Sequence, residues 1–457
     1  MASHSTEFLD RLVAELGPSV SVDPQVLADA RTDRSGYVSP GAPLAVVFAR
    51  SVAEVQSAVR LASEFRVAIV PRGAGTGLAG AATATEGAVV VSTALMTNII
   101  EISLADELAV VEPGVLNQQL SDAVLADGYV FSPDPASKAI STIGGNIATN
   151  AGGLLCAKYG VTREAVLGLK VVLPDGRLVS TGHRSVKGVT GLDLTALLTG
   201  SEGTLGIIVE ATVRLRPISA GPVVTIGAFF DSVASAASAS AAITAARLRP
   251  AVMELMDAES LVAIDALNGT TLRSQGAAYL LVQTDGGAAG EEASHILALT
   301  RLLGGSSEMS TDAAEGDRLL AIRRSFHPAL EARGVVLIED VCVPRSALAA
   351  MFAQIELIGA RHGLRIATVA HAGDGNLHPN FVLDPGVTEV PEVIWQAAGE
   401  LFAAALALGG TLTGEHGVGL LKRRWLQAEL GDDSFELQRQ IKAVFDPLGI
   451  MNPGKVF

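Results

Sequence analysis

The chain has 457 residues, 49% of them hydrophobic and 18% charged, with a formal net charge of −15. That length calls for two or more domains, and the composition excludes an intrinsically disordered chain. The acidic balance argues against a nucleic-acid partner, because phosphate binding needs a basic surface; positive charge for an anionic substrate has to be gathered locally at the site.

His4, Glu7 and Asp10 precede any apolar block, unlike the start of a signal peptide. No apolar run reaches bilayer-spanning length; the alanine-rich stretch 401–408 stops at Gly409 and Gly410. Cys156 and Cys342 stand far apart in apolar surroundings and read as buried thiols of a reducing compartment. These features lead us to expect a cytoplasmic protein, with peripheral contact at the inner face of a membrane left open.

Residues 1–40 read as helical and turn segments ahead of a first strand at 44–49. A helix starts after Ser51, whose hydroxyl can cap it while Glu54 reaches back. A strand at 67–70 runs into a glycine-dense loop at 73–80, followed by strands at 88–92, 99–103 and 108–112 and an amphipathic helix at 116–127 stopped by Gly128. Residues 133–160 carry Gly, Asn, Ser and Thr without periodicity and read as a long functional loop. A hairpin at 167–180 turns at Asp175-Gly176, a strand-rich run covers 204–216, and Pro217 and Pro222 flank a boundary. Beyond it, strands near 223–230, 252–256, 279–283 and 335–341 alternate with alanine-rich helices, one running from Pro344 towards Gly363. That pattern predicts an antiparallel sheet covered by helices on one face.

Gly75, Gly77 and Gly80 spell GxGxxG, with Glu101 further on at about the twenty-residue Rossmann spacing. A Rossmann turn must feed a crossover helix, and only residues 81–87 separate Gly80 from the next strand, so that reading fails. The loop's exposed backbone N–H groups suit a pyrophosphate nest; a tight turn without ligand is the other reading. In VAHAGDGNLHPN (369–380), the odd separation of His371 and His378 would put them on opposite faces of a straight strand, but a turn at Gly-Asp-Gly can make them converge. TGEHGVG (413–419) adds Glu415 and His416. Two imidazoles and a carboxylate leave coordination positions open, as a catalytic metal needs; satisfied core histidines fit the same spacing. In LLAIRRSFHPAL (319–330), Arg323 and His327 stand one turn apart if the segment is one helix. A solvated surface charge is the other reading of Arg323 and its neighbour Arg324.

PRGAGTGLAG (71–80) resembles the pyrophosphate loop of the vanillyl-alcohol-oxidase-type, or PCMH-type, FAD-binding fold. VEPG (111–114), SPDP (132–135), TIGGNIATNAGG (142–153), KYG (158–160), GSEGTLGIIVEATVRLRP (200–217) and the terminal FDPLGIMNPGKVF (445–457) resemble that family's segments in the same order. Within it the likeness is to the branch of the glycolate oxidase FAD subunit and D-lactate dehydrogenase, with D-2-hydroxyglutarate dehydrogenases as cousins. The resemblance implies an α+β architecture: an N-terminal helical segment (1–40), a two-lobed FAD-binding domain (41–217) and an antiparallel-sheet substrate and metal domain covered by helices (218–457), with the C-terminal segment returning to the flavin.

Carried onto this chain, the resemblance puts the pyrophosphate on Gly73, Ala74, Gly75, Thr76 and Gly77, flanked by Pro71, Arg72 and Leu78. Pro113, Gly114 and Pro133 follow. Ser141, Thr142, Gly144, Gly145, Asn146, Ala148, Thr149, Asn150 and Gly153 would hold ribityl and ring, and Glu202, Gly206, Ile207, Ile208 and Asn452 complete the cofactor set. Covalent members of the fold carry a histidine in the pyrophosphate loop; Thr76 stands there, so a non-covalent FAD is expected. The resemblance also makes His371, His378 and Glu415 ligands of one divalent ion (zinc, manganese or iron), His416 the general base, Asn380 a substrate contact, and Arg323 the anchor for a substrate carboxylate. His327, placed one turn from Arg323, is expected to add polarity to the same substrate site. Members that handle dicarboxylates carry an additional lysine where this chain has Ile338. The expected activity is therefore oxidation of a small D-2-hydroxy acid, D-lactate or glycolate, to the 2-oxo acid. A D-2-hydroxyglutarate dehydrogenase and a non-catalytic flavin-binding subunit are the alternatives. The partners implied are the hydroxy acid and an electron acceptor (quinone, electron-transferring flavoprotein or cytochrome); a homodimer is compatible with the sequence.

Overall fold

The computed structural model describes residues 2–387 and 389–457. Met1 and Thr388, which fall in the expected N-terminal segment and C-terminal domain, lie outside the described residues. The chain forms two compact units: one holds the residues up to Gly152, Gly160–Ile218 and Glu415–Phe457, the other Gly153–Tyr159 and Ser219–Gly414.

The first unit has two lobes, each built on its own sheet. In one, the strands run in the order Val20–Ser21, Ala45–Phe48, Val89–Ser92, Ile69–Arg72, and the last three are parallel. Val89–Ser92 is buried along its whole length, which its valine run allows and which a central parallel strand requires. Helix Val52–Phe65 covers the sheet, packing Val55, Val59 and Phe65 with Phe8, Leu12 and Ile69. Its Ser51 cap forms as expected, accepting from Glu54 N at 3.3 Å, but the Glu54 carboxylate takes the amide of Arg50 instead of closing the reciprocal bond to Ser51. Between the parallel strands Ile69–Arg72 and Val89–Ser92 the chain makes turns and no helix, so the glycine loop is not a Rossmann turn.

The second lobe is an antiparallel sheet in the order Ile99–Ser103, Leu108–Val111, Ile207–Arg214, Val166–Val172, Leu178–Gly182. The hairpin turns at Asp175-Gly176 as its sequence predicts, Gly176 having φ +82. The stretch read as a long loop, 133–160, instead contains the short helices Ile143–Thr149 and Cys156–Tyr159, and a third, Thr162–Ala165, follows it. Glycines hide the first from periodicity, but its ends are well formed: the Thr142 hydroxyl accepts from Gly145 N, and Asn150 closes it at φ 53. Ile143 and Ile147 tie it to a core with Val111, Leu120 and Phe131.

The chain's last residues return to the first lobe. The Asp446 carboxylate accepts the amides of Ile450 and Met451, Met451 bridges to Ile69, and Asn452 N donates to Ile69 O at 2.7 Å. Lys455 is 1% exposed and donates to Thr83 O at 2.6 Å and Ala81 O at 3.3 Å.

The second unit is an antiparallel sheet in the order Ser306–Ser310, Val223–Phe230, Ala278–Asp285, Val252–Met256, Ile366–His371, Asn376–Leu383, Val335–Ile338, with Val341–Cys342 also paired to Asn376–Leu383. Helices pack on it, among them Val233–Ala245, Ala258–Asn268 and Leu348–His362, the last ended by Gly363 at φ +65. Lys158 and Tyr159 of the KYG segment belong here, both bonding the carboxylate of Asp285, while Gly160 falls in the first unit. Two expectations fail locally. The strand read at 335–341 is interrupted at Glu339 and Asp340, and Arg323 and His327 do not share a helix: Ala313–Arg324 stops and Phe326–Glu331 begins anew. Pro328 has no N–H to give Arg324 O, so the ladder lapses there. Among the described residues no helix is long and apolar enough to cross a membrane.

The buried ammonium of Lys455 yields a stability test. Lys455→Met leaves Thr83 O without its donor, and we expect a loss of about 1–3 kcal/mol. Chemical denaturation of the flavin-free protein measures it, and an unchanged midpoint would show the bonds to be dispensable.

Candidate functional site

In the first unit the glycine loop lies against the start of helix Ile143–Thr149. A Cβ on Gly73 would meet Thr142 Oγ1 at 2.5 Å, one on Gly144 would meet Pro113 Cβ at 2.6 Å, and one on Gly114 would strike the carbonyls of Thr93, Met96 and Ala94 at 2.5–2.9 Å. Only glycine permits this approach. Arg72 braces the loop, donating through one amine to Thr32 O and Ala82 O at 2.8 Å each, and its guanidinium also lies where a Cβ on Gly75 would be. Among the described residues, the buried Ser141 Oγ and Asn146 Nδ2 have no protein partner. Buried donors are rarely left unmatched, so these fit a bound polar cofactor beside the glycine cradle.

Other residues of the expected cofactor set serve as struts. The carbonyls of Pro113 and Pro133 accept from Gly144 N and Asn117 Nδ2. Ala148 O accepts from Glu202 N, and Asn150 Oδ1 from Arg163 N. Gly206, whose Cβ would meet Val171 Cγ1 at 2.6 Å, leads into strand Ile207–Arg214, which carries Ile207 and Ile208. Gly153 lies in the segment that clusters with the second unit. Asn452 donates through Nδ2 to Glu202 O at 2.8 Å and Ala81 O at 3.1 Å. The Glu202 carboxylate accepts from Val418 N at 2.8 Å and Gly419 N at 2.9 Å, and Leu420 N donates to Ala79 O. The loop carrying His416 is thereby stapled to the GSEG segment and to the end of the glycine loop. Gly152 leaves room for Glu415: a Cβ there would meet Glu415 Oε2 at 2.5 Å.

In the second unit the turn at Gly-Asp-Gly folds Ile366–His371 back onto Asn376–Leu383, with His371 opposite Asn376 and His378 opposite Val369. The two imidazoles meet edge to face, centroids 5.1 Å apart. Each is at most 6% exposed. Ligand-capable atoms of His371, His378 and Glu415 lie within 4.8 Å of one another, a set that fits one divalent ion. Glu415 follows Gly414, whose amide donates to Asp340 Oδ2 at 2.9 Å; Thr413 Oγ1 donates to the same oxygen at 2.6 Å. His378 Nδ1 lies 3.8 Å from Asp340 Oδ1. His416 Nε2 is 3.9 Å from Glu415 Oε1.

Glu254, which the sequence reading passed over, is fully buried and opposite His371 in register. Its Oε1 takes His371 Nδ1 at 2.7 Å and its Oε2 takes Arg323 Nε at 2.8 Å. Burial alone would raise this carboxyl's pKa; the adjacent His371 and Arg323 outweigh it and hold it below the ordinary glutamate value. A lone acid in the apolar strand VMELM was the available signal, since such a group must be paired. Arg323 is buried, not a solvated charge, and its terminal amines have no protein hydrogen bond among the described residues. Asn380 is fully buried; its Nδ2 donates to His378 O at 2.6 Å and Ala367 O at 3.3 Å, while Oδ1 has no partner among the described residues. His327 is half-buried, edge-on to Phe326.

The first unit therefore has the build of a cofactor-binding oxidoreductase domain, and its glycine cradle lies inside a family match. Residues 43–182 match the model of an FAD binding domain, and residues 221–456 match that of the C-terminal domain of FAD linked oxidases. The chain belongs to the family of FAD-linked oxidases with a PCMH-type FAD-binding domain, in the branch of glycolate oxidase subunits and D-lactate dehydrogenases, and it is an enzyme of that class. It is 40% identical to the glycolate oxidase subunit GlcD of Bacillus subtilis (strain 168), over 91% of this chain and 89% of that one. Its identity to a D-lactate dehydrogenase of Archaeoglobus fulgidus is 34%, over 97% of this chain and 98% of that one. Among solved structures, p-cresol methylhydroxylase with substrate bound superposes with a TM-score of 0.83 at 19% identity, covering 100% of this chain and 97% of that one, a likeness of fold alone.

Burial pushes the Glu202 carboxyl up to about 7 from its ordinary 4.5, against the Val418 and Gly419 amides and the charges of Lys422 and Lys455. The folded chain thus holds this proton more tightly than the unfolded one. Its contribution to stability is complete below about 4.5 and lost as pH rises through about 7. Glu202→Gln removes the titration, so the melting temperature of the wild type should fall relative to the variant's between those pH values; parallel curves would contradict the shift.

Proposed function

We propose that this enzyme oxidises a small D-2-hydroxy monocarboxylate, D-lactate or glycolate, to the 2-oxo acid and passes the electrons to a separate acceptor. The carrying observation is the buried Arg323, which shares Glu254 with His371 through its Nε and keeps its terminal amines without a protein hydrogen bond among the described residues. A guanidinium fork with open donors suits a carboxylate, and the imidazole pair beside it suits an ion that engages the same substrate.

In this reading Arg323 holds the substrate carboxylate. His371, His378 and Glu415 hold one divalent ion, zinc, manganese or iron, which supplies a Lewis acid for the substrate oxygens. His416 takes the hydroxyl proton at Nε2, the nitrogen that lies 3.9 Å from Glu415 Oε1. Asn380 Oδ1, buried without a partner, serves the substrate region. FAD, held on the glycine cradle and the Ser141–Asn146 turn, supplies the hydride acceptor. The names of the relatives, a glycolate oxidase subunit and a D-lactate dehydrogenase, support a short hydroxy acid. So does apolar Ile338, which pairs with Asn380 across the sheet and offers no cation to a second carboxylate.

Anaerobic mixing with D-lactate, glycolate and D-2-hydroxyglutarate tests the reading. We expect either monocarboxylate to bleach the flavin faster than the dicarboxylate does, and His416→Ala to slow bleaching by roughly 10²–10⁴-fold. Fastest reduction by D-2-hydroxyglutarate overturns the substrate assignment, and near-normal reduction of the variant removes His416 as base. With Thr76 in the pyrophosphate loop, FAD is held without a covalent bond. Acid precipitation should leave the yellow colour in the supernatant; a yellow pellet contradicts this.

A further inference from the structure

The cross-strand position of Glu254 carries an inference that rests on the reading above and deepens it. Glu254 and His371 are direct partners in adjacent antiparallel strands. Such neighbours stand side by side on one face of the sheet. A fully buried carboxylate there can only accept hydrogen bonds. His371 Nδ1, 2.7 Å from Oε1, must therefore carry a proton, and in the neutral imidazole that an ion requires the lone pair is then on Nε2. The second oxygen is engaged by Arg323 Nε at 2.8 Å, an interaction that orients the guanidinium and leaves both terminal amines for an anion.

We propose that Glu254 is a positioning residue serving two tasks at once: it selects the metal-ready tautomer of His371 with one oxygen and aims Arg323 at the substrate carboxylate with the other. Its role requires two acceptors. A glutamine at 254 fits the same space but offers one acceptor and one donor. If the amide oxygen faces Arg323, its NH₂ faces His371 and favours the tautomer protonated at Nε2, which cannot bind an ion. If the amide is flipped, Arg323 Nε meets a donor and swings away. An aspartate keeps both acceptors on a shorter stem.

The test uses full-length, flavin-loaded protein stripped of metal, with Mn²⁺ and Zn²⁺ each titrated alone, together with KM and kcat for the best hydroxy acid and flavin content. Glu254→Gln is expected to weaken ion binding by roughly 10–100-fold and to raise KM, with flavin content unchanged. Glu254→Asp is expected to recover part of both losses. Wild-type ion affinity in Glu254→Gln overturns the proposal, as does a wild type that binds neither ion. Equal losses in Glu254→Gln and Glu254→Asp, with lowered melting temperatures, also overturn it, because a purely structural role predicts that pattern. If no hydroxy acid reduces the wild-type flavin, the functional reading fails by itself, and the ion titrations still decide whether Glu254 sets the tautomer.

Discussion

A carboxylate with no access to water sits in the middle of an apolar sheet, and the second unit is arranged around the need to balance it. Removing one partner of such a buried pair costs about 3–5 kcal/mol, so Glu254, His371 and Arg323 cannot vary independently. Each comes from a different part of the chain: the strand Val252–Met256, the strand Ile366–His371 and the end of helix Ala313–Arg324. The electrostatic requirement of one buried group thus fixes the spacing of three elements. It also explains why Arg323 is buried although arginine in a helical segment is usually solvated.

The flavin-binding unit obeys a different constraint, close approach of backbone. Its glycines stand where a Cβ would meet Thr142, Pro113 or a row of carbonyls, and the same logic extends to Gly152 against Glu415 and Gly417 against Glu202. Polar groups then close the gaps that side chains cannot fill. Asn452 and Lys455, brought back by the chain's end, satisfy Ala81 O, Thr83 O and Glu202 O, carbonyls that would otherwise be buried alone. Asn452 pays for its place with a positive φ of 47, a conformation asparagine tolerates better than most residues.

What could be read from the sequence follows from these two constraints. Strands with β-branched runs, the Asp175-Gly176 turn, the Gly363 helix end and the rejection of a Rossmann turn all rest on local chemistry, and local chemistry is visible in a string of letters. The convergence of His371 and His378 was legible for the same reason, because the Gly-Asp-Gly turn lies between them. Glu254 was not legible as part of the site, since its partners lie 69 and 117 residues away. The helix Ile143–Thr149 was missed because its glycines erase the apolar period, although its caps, Thr142 and Asn150, were in plain view. The break between Arg323 and His327 is local chemistry as well, because Pro328 has no N–H with which to complete the helical ladder.

The interruption at Glu339 and Asp340 shows how a local irregularity serves the site. Had the strand run straight from Val335 to Cys342, the side chain of Asp340 would have been one more tooth of the pleat. Instead its carboxylate accepts from Asn376 Nδ2, Thr413 Oγ1 and Gly414 N. One buried acid thereby pins the turn of the histidine hairpin and the residues that lead directly into Glu415 and His416. Because these two are adjacent in the chain, a candidate ligand and a candidate base share a single backbone placement. Any shift that improves one moves the other, so the anchoring has to be rigid, and a fully buried carboxylate with three donors is a physical means of making it so.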